Sequence, residues 1–365
     1  TSAMRNRSNK PTAWRTVANG LGCGRSACHA QSASCASLGS PFMARLMALC
    51  AARLRPGTAI ADRLLAWQGD VSSNGQSVPL RLAAGLHALV LSGHDLATHY
   101  PPSHTPDDAL WTAIEATFTT HTAHLHSYLD SAPQTNEVRR SSALILAASL
   151  LSQRHGLPLV LSELGASAGL NLNFDRYGLG PYGDPSSAVQ LRPNITGPAP
   201  APHPGTVQSR AATDLNPLDP GDHTRLLSYL WPDQPERLAL TRAALSLSPD
   251  KPDAQDAAPW LTKRLAIRHN NALHLVFHTI AFQYFPPDTQ ATCRAALAQA
   301  GARATPSAPL AHLSLEADTN PNGAALTLTT WPTGKTEHLA RADFHGRWLH
   351  FDKNTQSVPS AHTAA

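Results

Sequence analysis

The stretch Glu163 to Asn171, ELGASAGLN, decides how this chain reads. It follows the apolar run Leu157-Pro158-Leu159-Val160-Leu161-Ser162, which has the length of a buried strand and begins just after Gly156. A strand that runs straight into Gly165, Ser167 and Gly169 enters a sharp turn of small residues. Glycine has no Cβ, so another group can lie directly on such a loop. Residues 166 to 174 then read as a short helix, whose first N–H groups have no intrahelical partner.

Upstream of this unit the pattern is helical, with no clear strand before Leu157. In PDDALWTAIEATFTTHTAHLHSYL, Leu110, Trp111, Ile114, Phe118, Leu125 and Leu129 recur mostly at three- and four-residue steps. Asp107 and Asp108 fall in the first turn, where they favour the helix dipole. QTNEVRRSSALILAASLLSQRHG opens on capping-type Thr135 or Asn136 and stops at Gly156. Downstream the texture alternates. DRYGLGPYGDPSSAVQLRPNITGPAPAPHPG reads as an inserted hairpin and loop, and Pro193 to Pro204 as a lid or a connector. Thr206 to Thr213 is a weak strand, HTRLLSYLWPDQPERLALTRAALSL supplies one or two helices, and NALHLVFHTIAFQYF is a buried strand. PDTQATCRAALAQAG follows as a helix. LAHLSLEA, GAALTLTTWP and GRWLHFD close the chain as three strands, the last antiparallel. Strands alternating with helices predict an α/β open sheet, Rossmann-like and mostly parallel, behind an N-terminal helical region. The expected divisions are a flexible tail over 1–36, the helical region over 37–156, the α/β domain over 157–352 and a second tail over 353–365.

Composition narrows the class. The chain has 365 residues, 42% hydrophobic and 15% charged, which is globular. The net charge of +4 is scattered, without the basic stripe of a nucleic-acid footprint. Five cysteines without a C-x-x-C signal neither a disulfide framework nor a zinc site, and His121 with His124 lacks an acid or thiol partner, so no metal is expected. The most apolar stretches are too short to span a bilayer, and the first twenty residues lack a signal-peptide run. The expectation is a soluble, cytoplasmic protein acting on a small molecule, with no nucleic-acid or membrane partner.

Two chemistries compete for the loop. Gly165-Ala166-Ser167-Ala168-Gly169 matches G-x-S-x-G, the nucleophile elbow of a serine hydrolase. Ser167 could then act with Glu316 or Asp343 and His345, in that order along the chain. An elbow follows a central strand and an HGGG-type loop, whereas helices precede Leu157 here, so this is the runner-up. The dinucleotide fingerprint fits worse, since Ser167 and Leu170 replace its second and third glycines. In the third reading Glu163 ends the first strand, Gly165, Ser167 and Gly169 are the small positions, and Asn171 closes the loop. Downstream TDLNP places Asp214 at the end of the next strand, where two carboxylate oxygens can accept from a vicinal diol.

This arrangement resembles the first motifs of class I S-adenosylmethionine-dependent methyltransferases, with Ser167 where many of them have glycine. The resemblance implies S-adenosylmethionine as cofactor, bound by Glu163, Gly165, Ser167, Gly169, Asn171 and Asp214. GSPF, QTNEVRR, LSELGASAGLNL, DRY, DLNPLD, WPDQPERL, VFHTIAFQY and DFHGRW together resemble a bacterial family known as domain of unknown function 2332, over about Gly39 to Phe351. That family implies little about activity. On the substrate side the expected residues are His278 and Tyr284 as catalytic groups, with Asn136, Arg139, Arg140 and Gln283 as contacts. Glu316 reads as a solvated strand end and DFHGRW as a turn. A cofactor-binding protein without catalysis is the third alternative.

Overall fold

The computed structural model describes residues 23–73 and 75–352. The tail expected over 353–365, and residues 1–22 of the one expected at the start, lie outside the described residues. Residues 23–37, expected in that first tail, form a helix instead. The chain divides into two compact units. The first runs up to Pro133 and adds Trp231–Gln234; the second holds Gln134–Leu230 and resumes at Pro235. The division therefore falls before QTNEVRR and not at the expected 156/157.

The first unit contains helices α1 (Cys23–Ser37), α2 (Pro41–Arg53), α3 (Ala59–Leu65), α4 (Val78–Leu91), α5 (Asp107–Thr120) and α6 (Thr122–Leu129). Leu46, Met47, Ile60, Leu82, Leu86 and Ile114 meet in its core. In α1, Cys28 and Cys35 are buried there too. Its many Ala and Ser residues blur the hydrophobic period, which is why the segment reads as a tail. Ser40 caps α2 by accepting the Met43 N–H, and Asp233 accepts from the Ser40 hydroxyl and the Phe42 N–H. A carboxylate at a helix N-terminus is favourable, and it ties the returning segment 231–234 to this unit.

In the second unit the strands are β1 (Leu159–Leu164), β2 (Gly178–Leu179), β3 (Tyr182–Gly183), β4 (Asn194–Thr196), β5 (Val207–Asp214), β6 (Asp253–Ala254), β7 (Leu273–Thr279), β8 (Leu310–Glu316), β9 (Ala324–Trp331), β10 (Lys335–Ala342) and β11 (Trp348–Phe351). The helices are α7 (Ser141–His155), α8 (His223–Ser228), α9 (Pro235–Leu245), α10 (Ala257–Ala266) and α11 (Pro287–Gly301). The main sheet has the order β4-β11-β10-β9-β8-β7-β1-β5-β6, and β2 and β3 form the inserted hairpin. From β6 through β5, β1 and β7 to β8 all neighbours are parallel; β8 to β11 then pair antiparallel.

Read in chain order, the parallel part runs third, second, first, fourth, fifth. This is the Rossmann-like order, and it reverses beside β1. The crevice beyond the carboxyl ends of β1 and its neighbours is where such sheets take ligands. Every residue of β1 is buried, as expected of a central strand covered on both faces. Leu164 and Val276 pack with Leu261 of α10 and Leu297 of α11 on one face. Glu163 pairs in register with Phe277, whose ring meets Phe174 edge-on at 5.9 Å on the other face. Three elements had no expectation: β6, α10 and β10.

Candidate functional site

The loop after β1 turns through left-handed backbone at Gly165 (φ 67°), Ser167 (φ 54°) and Gly169 (φ 73°). A side chain at Gly165 would place its Cβ 2.7 Å from the Ala281 methyl and 3.2 Å from the Phe285 ring, so the protein's own packing already demands glycine there. The N–H groups of Gly165 and Ala166 donate to the Thr213 carbonyl, at 2.9 and 3.1 Å. Ser167 N–H donates to Asp214 Oδ2 (2.8 Å), Ala168 N–H to Asn136 Oδ1 (3.0 Å) and Gly169 N–H to the Ala166 carbonyl (2.8 Å). The expected helix with free N–H donors is therefore absent. Turns lead instead into a 3-10 segment, Asn171–Arg176, and the loop's donors are met by side chains from other elements.

Gln134 and Asn136 fix this arrangement. Ser167 Oγ donates to Gln134 Oε1 (2.6 Å) and accepts from Asn136 Nδ2 (3.0 Å). Gln134 Nε2 donates in turn to the Asn216 carbonyl at 2.8 Å. Asp214 Oδ1 accepts the Asn216 N–H at 2.9 Å. The loops after β1 and β5 are thus cross-linked by three polar side chains. Ser167 has the positive φ of an elbow, but its hydroxyl proton goes to an amide oxygen, which is no general base, and the residue is buried. Asn171 accepts from Ser141 Oγ at 2.7 Å and so anchors α7.

Beside the loop is a pocket of about 190 Å³, lined by Gly165, Asp214, Leu215, Gln255, Tyr284 and Phe285 among others. It lies at the carboxyl ends of β1 and β5. Leu215 is 66% exposed and Tyr284 74%, two of only three large apolar side chains so exposed among the described residues. Neither residue contributes to the core.

Glu163 is 2% exposed, and its Oε2 has no hydrogen-bond partner. Burial and the nearby Asp214 push its carboxyl well above the usual range, against the opposing pull of Arg140 and the Leu172 N–H. Arg140 is buried and donates to the Phe344 and Thr279 carbonyls, at 2.9 and 3.2 Å. Burial opposes the charge of Glu137, but Arg237 at 2.7 Å, His345 at 3.5 Å and Arg139 at 2.9 Å overcome it and hold its carboxyl far below the ordinary range. Asp343 accepts both forks of Arg347 and the N–H groups of His345 and Arg347. DFHGRW is the turn expected of it, and it closes against QTNEVRR.

His278 lies on β7 with both ring nitrogens engaged, Nδ1 with Glu316 Oε1 (2.6 Å) and Nε2 with His312 Nε2 (3.0 Å), and its ring stacks on Phe282. Burial and His278 drive His312 down to about 3. Glu316 is no solvated strand end. It also accepts N–H groups from Ala281, Phe282 and Gln283, at 3.0, 3.0 and 3.4 Å. His278 and Glu316 therefore shape the turn that presents Tyr284 and Phe285 to the pocket. Gln283 Oε1 accepts the Ala317 N–H at 3.1 Å. Of the residues expected on the substrate, only Tyr284 faces the pocket. Asn136, Arg139, Arg140, Gln283 and His278 are engaged with the protein's own groups. Gln134, which sequence reasoning missed as a site residue, is the first residue of the QTNEVRR motif.

A family model described as "Uncharacterized protein conserved in bacteria (DUF2332)" matches residues 25–351. The chain belongs to this family. No curated protein and no solved structure matches it. Among the described residues, no helix of this DUF2332 protein is long and apolar enough to cross a membrane.

Proposed function

We propose that this DUF2332 protein binds S-adenosylmethionine at the carboxyl edge of β1 and β5 and transfers its methyl group to a small-molecule acceptor. The observation that carries the reading is the pocket in which Asp214 stands beside exposed Leu215 and Tyr284. A carboxylate offers about four lone-pair sites. Backbone N–H groups of Ser167 and Asn216 take one on each oxygen of Asp214, and the rest remain for a ribose diol. Leu215, Tyr284 and Phe285 supply apolar surface for a planar base. The loop's N–H groups are already used, so the reading rests on the pocket more than on the loop.

When bound, the cofactor supplies an electrophilic methyl group. The chain's part is to orient the acceptor and exclude water. A cytoplasmic setting goes with this reading, as do the free thiols of Cys28, Cys35, Cys50 and Cys293. Calorimetry with S-adenosylmethionine and S-adenosylhomocysteine tests it. Binding that weakens in Asp214→Ala and Tyr284→Ala is expected; no heat from a folded preparation would sink it. Labelling by a fluorophosphonate that disappears in Ser167→Ala would move the assignment to a serine hydrolase.

A further inference from the structure

A second cavity, of about 120 Å³, lies at the opposite edge of the sheet, where α10 and α11 end and β7 and β8 begin. Its polar lining is Arg268, His269, His274 and Arg303, and it contains no carboxylate. Leu265 and Ile267 are part of its apolar wall, and Ile267 is 54% exposed. The two imidazoles meet edge-on at 5.1 Å. His274 Nε2 is bonded to Ser162 Oγ at 2.8 Å, whereas His269 Nε2 is buried without a hydrogen-bond partner.

The charges do not balance. The carbonyls at the two helix C-termini together amount to about one negative charge. Arg303 answers them by donating to the Leu265 and Gln299 carbonyls, both at 3.3 Å. Arg268 donates only to Thr305 Oγ1, at 2.7 Å, and adds a second positive charge. Arg264, which reaches Ser162 Oγ, is not part of the cavity's lining. Burial and Arg264 lower His269; burial, His269 and Arg264 lower His274, to about 3. Both rings are therefore neutral, and Arg268 stands without a carboxylate partner at a cavity with an apolar wall.

We infer that this cavity binds a small organic monocarboxylate, its carboxylate between Arg268 and Arg303 and its hydrocarbon body against Leu265 and Ile267. The volume equals that of about four water molecules, which suits a chain of butyrate length. This site lies at the other edge of the sheet from the proposed cofactor pocket and does not depend on it.

Titration of the full chain with sodium butyrate, sodium acetate and inorganic phosphate tests the assignment. Butyrate is expected to bind once per chain, and more tightly than acetate by about tenfold for its two extra methylenes. Arg268→Gln, at an exposed position, should weaken butyrate at least about tenfold and leave the ligand-free melting temperature unchanged. No butyrate binding, or equal binding by wild type and Arg268→Gln, would overturn the site. Phosphate binding in preference to butyrate would overturn the carboxylate class.

Discussion

The carboxylate of Asp214 accepts the backbone N–H of Ser167 at 2.8 Å, joining the ends of two neighbouring parallel strands across 47 residues of chain. Its other oxygen accepts from Asn216, so one side chain sets the spacing of both carboxyl-edge loops. Asp214→Asn retains only one acceptor oxygen and must abandon one of these donors. We expect a loss of about 1–2 kcal/mol in urea unfolding, the usual cost of an unmet hydrogen bond. On the proposed reading, affinity for S-adenosylmethionine falls as well. Unchanged stability would mean that the two loops are held apart from Asp214.

Leu215 and Tyr284 separate function from folding. Both are mostly exposed beside the pocket, so Leu215→Ser and Tyr284→Ala should each change stability by no more than about 0.5 kcal/mol. Ligand affinity should nevertheless fall at least about fivefold, as apolar contact with a planar ring is lost. Calorimetry on variants with wild-type melting temperatures is the measurement. Full affinity in both would place the ligand elsewhere.

Much of this was legible in the sequence, for physical reasons that vary by element. The central strands β1 and β7 are covered on both faces, so they appear as unbroken apolar runs. By contrast, β10 (KTEHLARA) lies among antiparallel strands with much of its length exposed, and its charges hide the alternation. α10 buries Trp260, Leu261 and Leu265 but follows a Pro- and Asp-rich stretch that reads as loop. At the site, the closeness of QTNEVRR to the glycine loop could be read from the helix leading into β1. The use made of it could not. Asn136 meets Ser167 and Ala168, 31 and 32 positions further along, only in the folded chain, and nothing in QTNEVRR marks its first residue, Gln134, as the partner of the Ser167 hydroxyl. The glycines were legible as a tight turn, yet at Gly165 the neighbour is Ala281, more than a hundred residues away.

Glu163 gives the protein a pH dependence of definite sign. In the unfolded chain its carboxyl ionises near 4.5, and in the folded protein well above that. Between the two values the folded state retains a proton that the unfolded state has lost, so stability falls as pH rises. Glu163→Gln removes this titration and keeps an acceptor for the Leu172 N–H. Its stability relative to wild type should therefore improve by about 1.4 kcal/mol per pH unit above that ordinary value, until the folded carboxyl ionises. Urea midpoints at pH 5, 6 and 7 measure it; parallel profiles for the two proteins would show that Glu163 is charged in the fold.

Glu137 has the opposite sign. It is 1% exposed and is the shared counter-ion of Arg139 and Arg237, with His345 close by. Glu137→Gln leaves two guanidiniums crowded without their carboxylate, Arg237 among them buried. The expected cost is about 3–5 kcal/mol at pH 7, the range for breaking a buried ion pair. Because the folded carboxyl is held far below 4.5, its contribution is complete above that value and is lost as acid approaches the folded value. The gap between wild type and Glu137→Gln should therefore be constant from pH 6 to 8 and narrow below about pH 4, as the unfolded carboxyl takes up its proton. Equilibrium unfolding across that range decides it. A small gap that does not change with pH would mean that the arginines are satisfied without Glu137 and that the junction of QTNEVRR with DFHGRW is held by other contacts.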